Sequence, residues 1–287
     1  MRFVLFLTVL SLLSGCSNTN DSTFKSVSVE QIYTDSLSIR AIAPVSENAV
    51  WFAADKGMVG LIDSGVPKLA NIRYEDQPLH FRAIAATPSA VFVLSVATPG
   101  VLYKIGHENN EATSIEEVYT EVGEKVFYDS MAFWNAKEGI AMGDPIGGCL
   151  SIIVTRDGGA TWKKLPCTVL PAVEEGEAAF AASNSNIAIV NDQVWIATGG
   201  KRARVFHSPD KGETWEVFET PIIQGKAMTG IYSIDFYNEN RGIVFGGNWD
   251  DKESNEGNKA ITNDGGKTWQ LLSNGKGHGY RSSVSFV

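Results

Sequence analysis

The residues able to do chemistry recur at matching places along the chain. Ile39-Arg40-Ala41, Phe81-Arg82-Ala83, Tyr128-Asp129-Ser130, Gly176-Glu177-Ala178 and Tyr280-Arg281-Ser282 each open a short apolar stretch. If those stretches share one structural position, Arg40, Arg82, Asp129, Glu177 and Arg281 gather at one end of it. A second set follows in downstream loops, with Asp144-Pro145, Gly200-Lys201-Arg202 and Asn248-Trp249-Asp250. Arginine, acid and tryptophan together suit recognition of a carboxylate or a peptide. A guanidinium fork matches a carboxylate, and buried aromatic or arginine anchors carry most of a binding energy. The plainer alternative is that these charges pair with one another and hold the fold.

Other chemistry is sparse. The four histidines, His80, His107, His207 and His278, have no metal-ligand spacing, so no metal is expected. The glycine pairs at 147–148, 199–200 and 246–247 are not followed by helices and read as turns, so no nucleotide cofactor is expected. There is no nucleophile elbow and no HExxH. A net charge of −9 argues against a nucleic-acid partner or a polybasic membrane surface.

The elements that must position these residues come from an internal repeat. Thr155-Arg156-Asp157-Gly158-Gly159-Ala160-Thr161-Trp162 returns at 208–215 and at 262–269, intervals of 53 and 54 residues. In each copy a hydroxyl residue is followed by an aspartate (Asp157, Asp210, Asp264). Gly and Thr come next, and a tryptophan (Trp162, Trp215, Trp269) ends the pattern. The Asp can accept backbone N–H groups within its own turn. The Gly tolerates positive φ, and the Trp is expected to open the returning strand with a large apolar body. Between these turns, β-rich runs recur about every 40–52 residues, including 49–54, 90–95, 139–143, 193–198 and 242–246. Four short strands per repeat without helical periodicity predict an all-β chain, a β-propeller of four-stranded blades. Six or seven blades are expected in the complete ring, with about five and a half here. The run at 178–182 is read as one inner strand, 279–284 as the first strand of a sixth blade, and 28–33 as an outer closing strand. The halt at Val287, within that first strand, suggests that ~40–60 further residues follow if the repeat holds.

The turn pattern resembles the Asp box, or BNR repeat, of sialidases and other propellers. That resemblance implies the fold, and implies that the boxes lie on the face away from the functional one. Residues 127–131, 143–145, 176–183 and 279–284 further resemble the photosystem II stability/assembly factor family and its relatives in non-photosynthetic bacteria. The resemblance implies a non-catalytic propeller that binds protein segments through arginines on one face and assists assembly. The likeness to sialidases implies a competing glycosidase reading, with a glycan in place of the protein partner: Arg40, Arg82 and Arg281 would hold a carboxylate, Tyr128 or Tyr280 would attack with Glu177 as partner, and Asp129 would be the acid.

Arg2, the apolar run from Phe3 to Leu13, and Leu13-Ser14-Gly15-Cys16 read as a secretory leader over 1–15. The ending resembles a bacterial lipobox, which makes Cys16 the lipidated residue, 16–27 the tether and 28–287 the propeller. The expected location is the bacterial cell envelope, outer-membrane or periplasmic side, held by the N-terminal lipid alone. Cys149 and Cys167 lie nine residues to either side of Gly158 and would face each other across a simple hairpin. Either they form a disulfide or they are two buried thiols.

Overall fold

The computed structural model describes residue 26 and residues 28–286, so the leader and Cys16 lie outside the described residues. Residues up to Thr34 form one unit and Asp35–Val287 another. In the first unit, residues 28–33 adopt no strand, so the expected closing strand is not formed there.

Among its described residues the second unit is a β-propeller of five antiparallel blades, four of them four-stranded sheets and the fifth four strands of a six-stranded sheet. Blade 1 is built from Ile39–Ser46, Ala49–Ala54, Met58–Asp63 and Val66–Asn71, and blade 2 from Phe81–Ala86, Ala90–Ser95, Gly100–Glu108 and Glu111–Glu121. Blade 3 comprises Tyr128–Phe133, Gly139–Ile146, Cys149–Thr155 and Lys163–Lys164. Blade 4 has Ile187–Val190, Gln193–Ala197, Arg204–Ser208 and Glu216–Glu219; blade 5 has Thr229–Phe236, Gly242–Asn248, Lys259–Thr262 and Gln270–Leu271. The first strand of each blade packs against the first strand of the next. These are therefore the inner strands.

The core lies between blades. Phe92 of blade 2 packs with Phe133 and Trp162 of blade 3, and Trp195 of blade 4 stacks on Phe236 of blade 5 at 3.8 Å. Alternation along each strand sends side chains to both neighbours, which is why the second and third strands are apolar almost throughout.

The repeated turns join the third and fourth strands of blades 3, 4 and 5. Thr155 Oγ1 donates to Asp157 Oδ1 at 2.9 Å and accepts from the Gly159 amide at 2.9 Å. The carboxylate then accepts from Thr161 N and Thr161 Oγ1, at 2.9 and 2.7 Å. Asp210 and Asp264 repeat these bonds. The second turn residue after each Asp has φ of 73–91°, and a Cβ on Gly159 would lie 2.2 Å from Phe92. Only glycine fits there.

The tryptophans need one correction. Trp162, Trp215 and Trp269 were expected to open the fourth strands, but those strands begin one residue later, at Lys163, Glu216 and Gln270. In two copies the indole is tied back to its own turn. Trp269 Nε1 donates to Gly266 O at 2.8 Å, and Trp215 Nε1 to Gly212 O at 3.1 Å. Their apolar role stands: Trp269 is buried edge-on against Phe236, and Trp162 against Phe133. Cys149 and Cys167 are bonded, with Cα atoms 5.5 Å apart.

Two strand expectations are also corrected. Of the 178–182 run only Ala178 is in a strand, Glu177–Ala178, paired to Gly199–Gly200; the inner strand of blade 4 is Ile187–Val190. The run is diverted because Phe180 lies flat on Tyr232 and the chain then turns, Ala182 N donating to Phe180 O. Asn184 consequently bonds the inner strands of blades 2 and 3, through Ile84 N, Ile84 O and Met131 N. Residues 279–286 form no first strand either. Their amides bond side chains of blade 5's inner strand, Val284 N to Ser233 Oγ at 3.0 Å and Phe286 N to Asp235 Oδ2 at 2.7 Å.

Candidate binding site at the channel mouth

The pairing between inner and second strands skips one residue in four blades. The skips fall between Ile39 and Ala41, Phe81 and Ala83, Tyr128 and Ser130, and Ile231 and Ser233. The extra residues are Arg40, Arg82, Asp129 and Tyr232. A bulge at this point breaks the in–out alternation and re-aims one side chain. In blades 3 and 5 the opposing residue must be glycine, since a Cβ on Gly143 or Gly246 would sit about 2 Å from a carbonyl of the bulged strand. Four repeats of one backbone irregularity thus present two cations, an acid and a phenol around the same end of the channel.

A cavity of 420 Å³ opens there. One side is cationic. Arg82 donates to His80 Nε2 and to Ala181 O, both at 3.3 Å, and Arg40 donates to Ser38 Oγ at 3.1 Å. Among the described residues, neither guanidinium is in a salt bridge. Burial and the Arg40 charge push the Arg82 pKa down, and burial with the Arg82 charge pushes His80 down, which favours neutral imidazole.

Two acids stand behind them. Asp144 lines the cavity and accepts the Ala179 amide at 2.9 Å, while burial raises its carboxyl. Asp129 is 0% exposed, and neither of its oxygens has a hydrogen-bond partner among the described residues. Burial, then the neighbouring Asp144 charge, holds its carboxyl well above the usual range, against the pull of Arg82. The other side is aromatic. Phe180 stacks on Tyr232 at 3.8 Å and Tyr280 meets Tyr232 edge-on at 4.7 Å, with Phe127 and Met228 completing the wall. Trp249 stands at the lip, 45% exposed, with Lys252 Nζ 4.4 Å above its ring. A second cavity of 530 Å³ shares Phe127, Asp144 and Ala178 with the first and continues past Pro145 and Glu174. The two make one groove.

Of the expected site residues, Arg40, Arg82, Asp144 and Trp249 line the mouth and Asp129 lies behind it. Glu177 lines the adjoining cavity, and the others are elsewhere. Glu177 is buried against Arg204, 2.5 Å from its Nη2, and also accepts from Thr198 Oγ1 and Glu174 N. Its charge is paired, as in the charge-pairing alternative. Lys201 faces solvent 4.0 Å from Glu175, and Arg202 pairs with Glu219 at 2.7 Å. Asp250 sits in an exposed turn, its amide donating to Asn248 Oδ1. Arg281 is exposed, its guanidinium donating to Tyr280 O. Tyr128 is turned into the core, donating to Glu121 at 2.6 Å. The groups named for hydrolysis are therefore not assembled at one point. Sequence reasoning passed over Phe180 and Tyr232. Tyr232 had a signal, since Ile231-Tyr232-Ser233 stands at the repeat position of Phe81-Arg82-Ala83.

No known protein family and no curated relative matches the chain. Solved structures do. A puromycin-hydrolysing peptidase of Mycobacterium tuberculosis is 11% identical with a TM-score of 0.57, over 84% of this chain and 37% of that one. A chain of the mitotic checkpoint complex is 10% identical with a TM-score of 0.57, over 88% and 69%. YCF48 bound to a D1 peptide is 13% identical with a TM-score of 0.40, over 82% and 80%. At such identities the likeness is one of fold. The protein is a β-propeller whose channel mouth carries a half-cationic, half-aromatic groove.

Proposed function

We propose that the chain is an exported, lipid-anchored propeller that captures an acidic segment of a protein partner in this groove and assists its assembly without catalysis of its own. One observation carries the reading: Arg40 and Arg82 stand together in a 420 Å³ cavity without a salt-bridge partner among the described residues. Holding two like charges side by side costs free energy that an incoming carboxylate returns. The aromatic wall supplies the desolvated surface that makes such contacts strong. The resemblance of residues 127–131, 143–145, 176–183 and 279–284 to assembly-factor propellers supports a protein partner over a glycan. The leader and Cys16 support a place on the cell envelope, held by lipid.

The test is fluorescence anisotropy of labelled acidic peptides with the full chain and with Arg82→Glu and Arg40→Glu. Salt-sensitive binding that both reversals abolish is the expected result. Binding that survives both, or that prefers basic peptides, sinks the reading. Turnover of a fluorogenic sialic-acid substrate, lost in Arg82→Ala, would replace it with the hydrolase.

A further inference from the structure

At blade 4 the mouth is built differently from the rest of the ring. Residues 122–127 suffice to lead from the last strand of blade 2 to the inner strand of blade 3, and 220–228 do the same from blade 4 to blade 5. Between blades 3 and 4 the chain takes residues 165–186. The inner strand of blade 4 accordingly begins only at Ile187, and residues 179–186 cross the channel mouth instead. Blades 1, 2, 3 and 5 each present one bulged side chain at this level, and blade 4 presents a loop. Ala178, Ala179, Phe180, Ala181 and Ala182 of that loop all line the 420 Å³ cavity.

The loop is fastened to three other blades. On blade 2, Arg82 Nη1 donates to Ala181 O at 3.3 Å, and Asn184 Nδ2 donates to Ile84 O at 2.8 Å. Asn184 Oδ1 accepts from Ile84 N at 3.4 Å and, on blade 3, from Met131 N at 3.0 Å. Asp144 of blade 3 holds the Ala179 amide. On blade 5, Ser185 O accepts from Ile234 N at 2.9 Å, and Tyr232 carries the Phe180 ring. Gly199 makes room for that ring, since a Cβ there would lie 2.4 Å from it. Asn184 has a left-handed backbone, with φ of 58°. Asn visits that region more readily than most residues, and its surroundings hold it there. Asn184 thus grips the inner strand of blade 2 two residues beyond Arg82, from the same loop that gives Arg82 its carbonyl.

We propose that this loop is the specificity element of the mouth and that Asn184 is its positioning residue, setting Ala181 O against Arg82 so that the guanidinium meets an incoming carboxylate in one orientation. His80 Nε2 and Ala181 O take two of the five N–H groups of Arg82, and the other three have no acceptor among the described residues. A guanidinium held at two corners loses less freedom on binding than a free one. The alanines keep the pocket open. Ala182 is half-buried in its lining, so a larger side chain there would fill it. This inference rests on the reading of the mouth as a site for an acidic segment.

The experiment compares a labelled acidic peptide with its glutamine counterpart by anisotropy, on the full chain, Asn184→Ala and Ala182→Leu. Melting curves and the NMR signal of the Arg82 Nε–H accompany each titration. The unaltered chain is expected to prefer the acidic peptide. Asn184→Ala should weaken that peptide about tenfold and lose most of the preference at temperatures where it is fully folded, with a shifted Arg82 signal. Ala182→Leu, which leaves every bond of the loop in place, should weaken both peptides by a similar factor. Asn184→Ala that melts earlier yet keeps the affinity and the preference overturns the inference and leaves the acidic-segment reading standing. So does Ala182→Leu that binds both peptides as the unaltered chain does. An unaltered chain without preference for the acidic peptide overturns both. Should Asn184→Ala fail to fold, Asn184→Gly, suited to the same backbone, is read by the same criteria, and Ala182→Leu decides if neither folds.

Discussion

The two faces of the propeller treat charge in opposite ways. On the turn face, Asp157, Asp210 and Asp264 each accept several hydrogen bonds from their own turn. At the channel mouth, Arg40 and Arg82 line one cavity with neither in a salt bridge among the described residues, and Asp129 is buried without a hydrogen-bond partner among them. Both sets come from repeated sequence, and both sit at strand ends. A saturated polar group reports structure and an unsaturated one reports a site, because leaving it unsaturated costs stability that a ligand can restore.

The contrast can be broken most sharply at Glu177, a buried, saturated charge on the mouth side. Glu177→Ala should cost about 3–5 kcal/mol by stranding Arg204, seen as a lower denaturant midpoint, whereas Arg82→Ala should leave that midpoint almost unchanged. Equal losses in both would erase the distinction between a structural ion pair and a binding cation. Next in size, Cys149→Ser closes no loop in the unfolded chain and should cost about 3 kcal/mol under oxidising conditions. Mass mapping without reductant should find the Cys149–Cys167 peptide pair, and two free thiols would refute it.

Smaller effects sharpen the comparison. Arg82→Ala should weaken an acidic peptide by roughly tenfold, about 1.4 kcal/mol, with a shallower salt dependence. Asp157→Ala should cost about 1 kcal/mol, as loss of a capping side chain does, and should not alter peptide binding. The Asp157 carboxyl is lowered to about 2 by its turn bonds. Its contribution is therefore complete above the unfolded value near ~3.9 and fades as the pH falls toward 2; an acid titration of the variant should lack that phase. Asp129 carries the opposite sign. Its carboxyl is raised, so no penalty exists in acid, and stability falls once the pH rises above the unfolded value and the unfolded chain gains by ionising. Asp129→Asn should flatten that decline, and an unchanged pH profile would show that Asp129 is ionised in the folded protein.

The repeated turns were legible because their chemistry is local. A hydroxyl, an Asp, a Gly and a Thr within seven residues carry every bond the carboxylate makes, so spacing alone announces them. Where the fourth strand starts was less legible, because Trp215 and Trp269 spend their indole N–H groups inside the turn rather than on the strand. Arg40, Arg82 and Asp129 were legible as a register, since each follows one aromatic or β-branched residue at the head of an inner strand. The ion pair of Glu177 was not legible, because its partner lies far along the chain. The bulge that re-aims Arg82 is absent from blade 4, where Arg204, 27 residues on, claims the carboxylate. Tyr232 and Phe180 were passed over, and only their stacking in the folded chain makes them a wall.

Sequence by itself determined the blade, because strand alternation, turn glycines and the Asp-to-Thr bonds all act within a dozen residues. Tertiary structure alone decided which of the repeated charges are used up and which remain. That depends on partners from other blades, such as Asn184 bridging blades 2 and 3 or Asp144 holding Ala179, and long-range pairing of this kind leaves no periodic trace in the chain.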